Sequence, residues 1–397
     1  MELLGKSKGE LQAFCAALGE PAYRGDQIYE ALYVERKFEA ARMTNLPATF
    51  RAKLEKEAAI SVPEVKQRFA SKDGSVRLLL ALGDDRRTAG KEKYEADANA
   101  ETSAPKIAEE IRPGATNGGG RPAQVEAVYM PSEGRQTICI STQAGCAVDC
   151  QFCLTAQLGL IRNLTAGEIV GQVLIALAES KNEFREDGAE SAKDTKQTNV
   201  VLMGQGEPLL NFDSVMAAMR ILLDPEGMRL SPKHVTLSTS GIVPGIERLG
   251  KEEVRPKLAI SLNASNDEER NALMPINRKY PLAKLMEACR NYPLRSWEHL
   301  TFEYVMLGGV NDADEDARRV VRLLAPIKRV KVNLIPWNPG ELPYRESSRE
   351  RIETFRKILS GKGVRVFVRY SRGRDVMAAC GQLALKSAGS KQQPEIS

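Results

Sequence analysis

The chain has little histidine and tryptophan and no long apolar run, and these shortages limit the classes of protein to which it can belong. Only two of its 397 residues are histidines, His234 and His299, and neither lies near the cysteine-rich segment described below. The first residues lack the apolar core of a signal peptide, and no stretch approaches membrane-spanning length. Seven cysteines, an odd number in a long chain, do not fit a disulfide framework. These absences predict a cytoplasmic protein without a membrane segment, and we also expect a monomer.

What remains is the composition of an ordinary globular protein. Hydrophobic residues make up 42% and charged residues 27% of the chain, and its length allows one large domain with a small one. The formal net charge of +5 permits a nucleic-acid partner without demonstrating one.

Three cysteines, Cys146, Cys150 and Cys153, stand in the short run QAGCAVDCQFC with C-x3-C-x2-C spacing. Three thiolates can hold three irons of a four-iron, four-sulfur (4Fe-4S) cluster and leave the fourth iron open. That iron can then bind the amino and carboxylate groups of S-adenosylmethionine (SAM). A closed electron-transfer cluster needs four cysteines and a structural zinc site needs four ligands, but no fourth cysteine or histidine is nearby. The spacing therefore favours an open cluster over the alternatives, a zinc site or buried core cysteines.

The chain divides into a short helical part and a longer part in which strands and helices alternate. Four segments are predicted: a helical accessory domain (1–62), an extension with a low-complexity insert at about 84–123 (63–135), the domain that carries the cysteines (136–386) and a flexible tail (387–397). A second charged insert is expected at 183–197. Both inserts are polar and predict exposed segments.

Six β-rich runs alternate with helical patterns in the long domain. They are Thr137–Ser141, Asn199–Met203, His234–Ser238, Lys257–Leu262, Leu300–Leu307 and Lys331–Ile335, and a seventh strand, Val364–Tyr370, and a last helix follow. This alternation predicts an α/β fold with a parallel sheet, and a partial barrel suits it. In such folds the site forms at the carboxyl ends of the strands.

Small and polar residues stand at those strand ends. The turn Gly204–Glu207 allows close approach of the backbone and adds a carboxylate that suits the amino group of SAM. Ser238, Ser261, Asn263 and Asn338 offer hydroxyls and amides for ribose and adenine edges. Each alone is more often a capping group, but together they indicate one binding site at the carboxyl ends of the strands.

Two further cysteines are candidates for chemistry. Cys139 alternates with Thr137 and Ser141, so it is predicted on the polar face that leads into the cysteine loop, with a buried structural thiol as the alternative. Cys380 follows the arginine-rich turn Ser371–Asp375, whose cations favour a thiolate. From the residues alone, a core helix cysteine is an equal alternative for Cys380.

Taken in order along the chain, these motifs resemble one family. The runs are the cysteine motif, MGQGEPLLN, VTLSTSGIVPGI, LAISLNAS, LMPIN, VNLIPWNP and AACGQL. They resemble the radical SAM methyltransferases that modify carbon 2 of adenosine in 23S ribosomal RNA and in certain transfer RNAs. The resemblance covers nearly the whole chain apart from the two inserts.

The resemblance implies a partial (β/α)6 barrel as the catalytic domain, with a small helical N-terminal domain that helps to grip RNA. It implies a 4Fe-4S cluster, and SAM as both methyl donor and radical source. The implied partners are 23S rRNA in its peptidyl transferase region, tRNA at an adenosine next to the anticodon, and an electron donor such as flavodoxin or ferredoxin. The reaction runs through a methylated cysteine and two molecules of SAM.

Roles for individual residues also follow from the resemblance. The cluster ligands are Cys146, Cys150 and Cys153, the methyl acceptor is Cys380, the proton acceptor is Glu126, and Cys139 resolves the protein–RNA adduct by forming a disulfide with Cys380. The implied SAM contacts are Gly206, Glu207, Ser238, Ser261, Leu262, Asn263 and Asn338. Asn263 stands where many relatives carry histidine, and Gln205 replaces a frequent methionine. We expect SAM binding to survive both differences.

Two other functions stay open at this point. One is the sister family that methylates carbon 8 of the same ribosomal adenosine with the same two cysteines. The other is a non-catalytic iron–sulfur or zinc module that binds RNA. For either RNA reading the candidate phosphate contacts are Arg278, Lys279, Lys328, Arg329, Lys331, Arg369, Arg372 and Arg374, each of which is alternatively a solvated surface charge.

Overall fold

The computed structural model describes residues 1–83, 106, 107, 109, 123–180 and 197–385. Nearly all of the two predicted inserts and the whole predicted tail lie outside these residues. The α-helices described are α1 Lys8–Ala17, α2 Tyr23–Tyr33, α3 Ala48–Glu57, α4 Ala166–Ser180, α5 Phe212–Leu222, α6 Val243–Lys251, α7 Asp267–Leu273, α8 Leu282–Asn291, α9 Asp314–Leu324 and α10 Arg349–Ser360. The strands are β1 Glu64–Ala70, β2 Val76–Ala81, β3 Gln124–Ser132, β4 Arg135–Cys139, β5 Gln143–Gly145, β6 Leu160–Asn163, β7 Gln197–Leu202, β8 Val235–Thr239, β9 Lys257–Ser261, β10 Leu300–Met306, β11 Val330–Pro336 and β12 Arg365–Val368.

The first 62 residues hold three helices, as predicted. Ser7 and Glu10 form a capping box at the start of α1, which satisfies backbone N–H groups that a helix start leaves without partners. This helical part packs on the rest of the chain at Gly5, where a Cβ atom would lie 2.3 Å from the backbone N of Gly167 in α4. Glycine is therefore required for this close approach.

In the described part of the chain, ten strands form one sheet in the order β1-β2-β3-β4-β7-β8-β9-β10-β11-β12. The pairings from β1 to β4 are antiparallel, and those from β4 to β12 are parallel. The seven parallel strands are those expected from the sequence, and the predicted α/β class is confirmed. Strand β1 was not predicted, because its mostly exposed residues lack the apolar alternation of a half-buried strand.

The parallel strands turn alternate residues to a helical layer and to an inner face. On β10, Phe302 and Tyr304 are fully buried, and Tyr304 meets Phe355 of α10, so Glu303 points the opposite way. The strand register places Ser261, Glu303, Asn333 and Phe367 side by side across β9, β10, β11 and β12. We call these four residues the inner row.

The segment after β12, residues 371–385, returns across the sheet to the antiparallel strands. Asp375 accepts a hydrogen bond from Ser71 Oγ at 2.6 Å, and Gly373 N donates to Asp73 Oδ2 at 2.9 Å. The predicted last helix is wrong, since this segment contains only a 3-10 turn, Arg374–Val376. Within the residues described, no helix is long and apolar enough to cross a membrane.

Candidate active site

The loop with the three cysteines follows β4 and β5 at the carboxyl end of the parallel sheet. Gly145 has φ +74°, and a Cβ atom there would lie 1.8 Å from the carbonyl oxygen of Gly159, so only glycine fits. Cys146 N donates to that same oxygen at 2.9 Å, and Cys153 N donates to Cys150 O at 3.1 Å. These bonds hold the loop in a compact turn.

The three thiols of this loop are half-buried and unpaired with one another. Loss of water raises the pKa of Cys146 to about 12 and also raises those of Cys150 and Cys153. Among the described residues, no three His, Cys, Asp or Glu side chains are grouped tightly enough to hold a single metal ion. A 4Fe-4S cluster spreads its cysteines over different irons, so the donor set of three thiols in one loop suits a cluster better than one ion.

The returning segment 371–385 places Cys380 against the cysteine loop. Leu154 N donates to Gly381 O at 2.8 Å, and Thr155 Oγ1 donates to Leu383 O at 2.7 Å. From the loop just after β11, Asn338 Nδ2 donates to Cys380 O at 3.1 Å. Cys380 therefore sits in a turn beside the loop and not in a core helix, the alternative left open by the sequence.

Cys139 and Cys380 share one small region of the inner face. Cys139 is buried in an apolar cluster with Val128, Ala378 and Leu383, while Cys380 is exposed, and both thiols are free. Burial, and then the neighbouring Cys380, raise the pKa of Cys139. The structure thus brings together the two cysteines that the sequence singled out.

The expectation that nearby cations favour a Cys380 thiolate is wrong. Arg372 donates to the carbonyls of Pro131 and Asp73, and Arg374 donates to Glu346 at 3.0 Å. These arginines hold the segment in place and are engaged within the protein. Although Cys380 as a whole is exposed, its thiol lies among protein atoms, and this loss of water, and then the Glu303 carboxylate, raise the pKa of Cys380 to about 12.

Glu126 lies on β3 and is fully buried, unlike the solvated side chain that an acidic residue beside a strand usually is. It forms an ion pair with Arg77 on β2 and accepts a hydrogen bond from Leu385 N at 3.2 Å. Burial raises the pKa of Glu126, and Arg77 opposes this. The carboxylate thereby holds the end of the segment that carries Cys380.

The turn after β7 places Gly206 and Glu207 beside the cysteine loop. Gly206 has φ +97°, and a Cβ atom there would lie 2.5 Å from Gln143 Cβ. The buried Glu207 carboxylate accepts hydrogen bonds from Ser240 N at 2.7 Å, Ser240 Oγ at 2.8 Å and Leu209 N at 3.1 Å. The Thr239 side chain also donates to this carboxylate, so its acceptor positions, about four in all, are engaged within the protein, and a SAM amino group would have to share them.

Ser238 and Ser261 meet at the ends of β8 and β9 around a residue that the sequence reasoning missed. Their hydroxyl oxygens are 3.4 Å apart, and Ser238 Oγ donates to Glu303 Oε2 at 3.0 Å. Burial raises the pKa of Glu303. The sequence signal that could have identified Glu303 was an acidic residue between Phe302 and Tyr304 in a predicted strand.

Leu262 and Asn263 follow directly after β9, and both are already engaged within the protein. Asn263 has φ +57°, which asparagine tolerates better than most residues, and its Oδ1 accepts from Val305 N at 2.9 Å. Its Nδ2 contacts Met274 Sδ at 3.4 Å. Leu262 is buried and donates its N–H to Glu303 O at 2.9 Å. Asn263 therefore has a structural task that a ribose contact would have to share.

Two amide side chains at this site contain buried atoms without a partner. Among the residues that the structure describes, Asn338 Oδ1 and both polar atoms of the Gln205 side chain find no hydrogen-bond partner. Buried polar atoms are normally satisfied by protein, water or a ligand. Together with the three thiols and the Glu207 carboxylate, they fit a site for a cluster and a polar cofactor such as SAM.

Arg270, on α7, is a second residue that the sequence reasoning missed. It is fully buried and donates to the carbonyls of Ser240 at 2.6 Å, Ser261 at 3.0 Å and Leu262 at 3.0 Å. It thus joins the ends of β8 and β9, which carry predicted SAM contacts. Its only sequence signal was its place just before LMPIN.

Comparison with known proteins agrees with this fold. The model of the radical SAM superfamily matches residues 140–321, and that of the ribosomal RNA large subunit methyltransferase N-terminal domain matches residues 1–60. A solved radical SAM methyltransferase from Sphaerobacter thermophilus is 38% identical with a TM-score of 0.80, and the match covers 96% of this chain and 99% of that chain. The chain is a radical SAM protein, and the predicted fold class is confirmed.

Curated relatives narrow the class. The "Probable dual-specificity RNA methyltransferase RlmN" of Koribacter versatilis is 46% identical over 368 residues, which are 92% of this chain and 96% of the relative. The "Dual-specificity RNA methyltransferase RlmN" of a Chelativorans species is 42% identical in a match that covers 98% of this chain and 90% of the relative. The chain belongs to the RlmN family, and the resemblance stated from its motifs is confirmed.

Proposed function

We propose that the protein methylates carbon 2 of an adenosine in 23S rRNA and of an adenosine next to the anticodon of certain tRNAs. The observation that supports this most is the joining of the cysteine loop to the Cys380 turn, through Leu154 N and Gly381 O at 2.8 Å. That bond places the methyl-accepting candidate beside the thiols that would hold a cluster. We propose the cytoplasm as the place of reaction and a monomer as the active species.

The cluster would be held by Cys146, Cys150 and Cys153. The SAM contacts we propose are Gly206, Glu207, Ser238, Ser261, Leu262, Asn263 and Asn338. When bound, the cluster with SAM supplies one-electron chemistry and a methyl group, for which an electron donor such as flavodoxin or ferredoxin is needed. The helices of residues 1–62 are proposed as the accessory RNA-binding domain.

The remaining steps belong to the side chains. Cys380 Sγ gives up its proton and takes the methyl group of a first SAM, whose sulfonium–methyl bond breaks, which is covalent catalysis. One hydrogen atom of that methyl group, and one electron after the methyl carbon has joined adenine carbon 2, would be removed by the chemistry that the cluster and a second SAM supply. Glu126 or Cys139 takes the proton from adenine carbon 2. Cys139 Sγ then attacks Cys380 Sγ, the bond from Cys380 Sγ to carbon breaks, and the carbon takes a proton. A reductant resets the resulting disulfide.

We propose that RNA reaches Cys380 along the inner row, whose outer end is an aromatic between cations. Phe367 on the edge strand β12 is 38% exposed, and the Arg369 guanidinium lies 5.0 Å from its ring centre. Arg365 pairs in register with Lys331, and burial, followed by the cations Arg369 and Arg365, lowers the pKa of Lys331. An aromatic among cations suits an unstacked base and its phosphates.

The test is an anaerobic assay of reconstituted protein with a reductant, methyl-labelled SAM and unmodified transcripts of a 23S rRNA fragment and of tRNA. We expect 2-methyladenosine from the wild type and none from Cys380→Ala. Cys139→Ala should accumulate protein joined to RNA, because the adduct is not resolved. Cys15→Ala, a buried cysteine of α1 whose charged neighbours are Glu20, Arg24 and Asp26, is the matched control and should stay active.

Each other outcome points elsewhere. The product 8-methyladenosine, identified by mass spectrometry with both isomers as standards, would assign the chain to the sister activity. Cleavage of SAM without methylated RNA would refute the proposed substrate. One zinc ion in place of about four irons after anaerobic purification would favour a non-catalytic module.

A further inference from the structure

Arg270 carries a buried charge whose hydrogen bonds all go to neutral groups. Besides the three carbonyls named above, its Nη1 donates to Asn277 Oδ1 at 2.9 Å. In the part of the chain that the structure describes, no carboxylate lies within the 4.0 Å of an ion pair with this guanidinium. Arg77, almost as deeply buried, does have such a partner in Glu126. A buried charge is costly unless a counter-charge stands near it.

The cysteine loop packs against the helix that carries Arg270, because Gln151 N, next to Cys150, donates to Leu273 O at 2.9 Å, three residues beyond Arg270. Of the groups that favour the charged form of Arg270, Cys150 comes first, ahead of Asp267. Asp267 is already held, because its Oδ1 accepts from Asn277 Nδ2 at 2.8 Å and from Leu282 N at 2.9 Å. Asp267 is therefore engaged elsewhere, and Cys150 is the remaining group that could balance the charge of Arg270.

We propose that Arg270 is the counter-charge of the iron–sulfur cluster, standing next to Cys150 and balancing the negative charge that three thiolates bring into the interior. This rests on the proposed function. Arg270 acts through Cys150 and is thus a positioning residue. A fixed positive charge beside a cluster favours its more negative, reduced form, so it raises the midpoint potential. The same guanidinium ties down the carbonyls of Ser261 and Leu262, so the charge and the SAM-binding strand ends are set by one side chain.

Two substitutions separate the charge from the hydrogen bonds. Arg270→Lys and Arg270→Gln both lose the forked set of bonds, but only lysine keeps the charge. We expect Arg270→Lys to keep a midpoint potential close to that of the wild type. Arg270→Gln should have a more negative potential and should lose iron several-fold faster to a chelator. Arg255→Gln is the control, because Arg255 is buried away from the cluster loop and lies 3.8 Å from Glu298.

The measurement is an anaerobic redox titration of the reconstituted protein, followed by electron paramagnetic resonance without RNA. Equal shifts of the midpoint potential in the lysine and glutamine variants, or no shift in either, would overturn the proposal. The hydrogen bonds of Arg270, and not its charge, would then account for its role. If Arg270→Gln does not fold, Arg270→Lys decides: an unchanged potential supports the counter-charge and a lowered one overturns it. A wild type that takes up no iron refutes this proposal and the proposed function together. If the potential shifts in Arg270→Gln alone and the wild type methylates no RNA, the result supports the counter-charge role of Arg270 and refutes only the proposed methylation of RNA.

Discussion

The buried pair of Arg77 and Glu126 gives a prediction about stability. Their side chains are 1% and 0% exposed, and Arg77 also lies 4.1 Å from the ring centre of Phe69. Arg77→Met removes the charge and keeps much of the bulk, so it leaves a carboxylate buried without its partner. Breaking one side of a buried ion pair costs about 3–5 kcal/mol. The lost contact with Phe69 adds roughly 0.5–2 kcal/mol.

This loss should depend on pH. Burial already raises the pKa of Glu126 above its ordinary value of 4.5, and Arg77 is the largest opposing influence. Without Arg77 the pKa rises further, so the folded state holds a proton that the unfolded state releases above its own pKa. Stability of the variant therefore falls as pH rises from the unfolded pKa through the folded one. The loss relative to the wild type is expected to be larger at pH 8 than at pH 5.

Urea unfolding followed by circular dichroism at both pH values measures this loss. The double variant Arg77→Met/Glu126→Gln removes both charges and should recover part of the stability and lose the pH dependence. A cost of less than about 1 kcal/mol at pH 8, far below that of an uncompensated buried charge, would refute the reasoning. So would a double variant as unstable as the single one.

Two further predictions concern the cysteine loop and the RNA path. Gly145→Ala should prevent the cysteine loop from closing and leave reconstituted protein with little iron, because the new Cβ would lie 1.8 Å from Gly159 O. Gly134→Ala is the control for backbone strain alone, because Gly134 has φ +65° and a Cβ atom there would meet nothing within 4 Å. Equal iron content in both variants would contradict this. Phe367→Leu should weaken binding to the unmodified 23S rRNA fragment roughly 10-fold by fluorescence anisotropy, since a stacked base is worth about 1–3 kcal/mol, and Phe367→Trp should bind like the wild type. Equal binding by all three proteins would remove Phe367 from the RNA path.

The sequence was sufficient where the signal is local. Alternation of β-rich and helical runs predicted all seven parallel strands to within a few residues, and the cysteine spacing and ordered motifs led to the family. Arg270 and Arg77 were missed because their roles depend on burial and on partners that are distant in the sequence. Arg270 bonds to Ser240, and Arg77 bonds to Glu126. Neither pairing has a periodicity that a sequence displays.

The segment 371–385 shows why the site itself was harder to predict than the fold. Its run of alanine and leucine has the composition of a helix, but its backbone partners are distant groups: Asp73, Thr155 and Glu126. Tertiary hydrogen bonds here outweigh local propensity, as they commonly do. Because the same segment bonds to the cysteine loop at one point and to Glu126 at another, Cys380 cannot move far without disturbing either the proposed cluster ligands or the proposed base. The three groups proposed to react are thus linked through one stretch of backbone, which a reading of each motif by itself could not reveal.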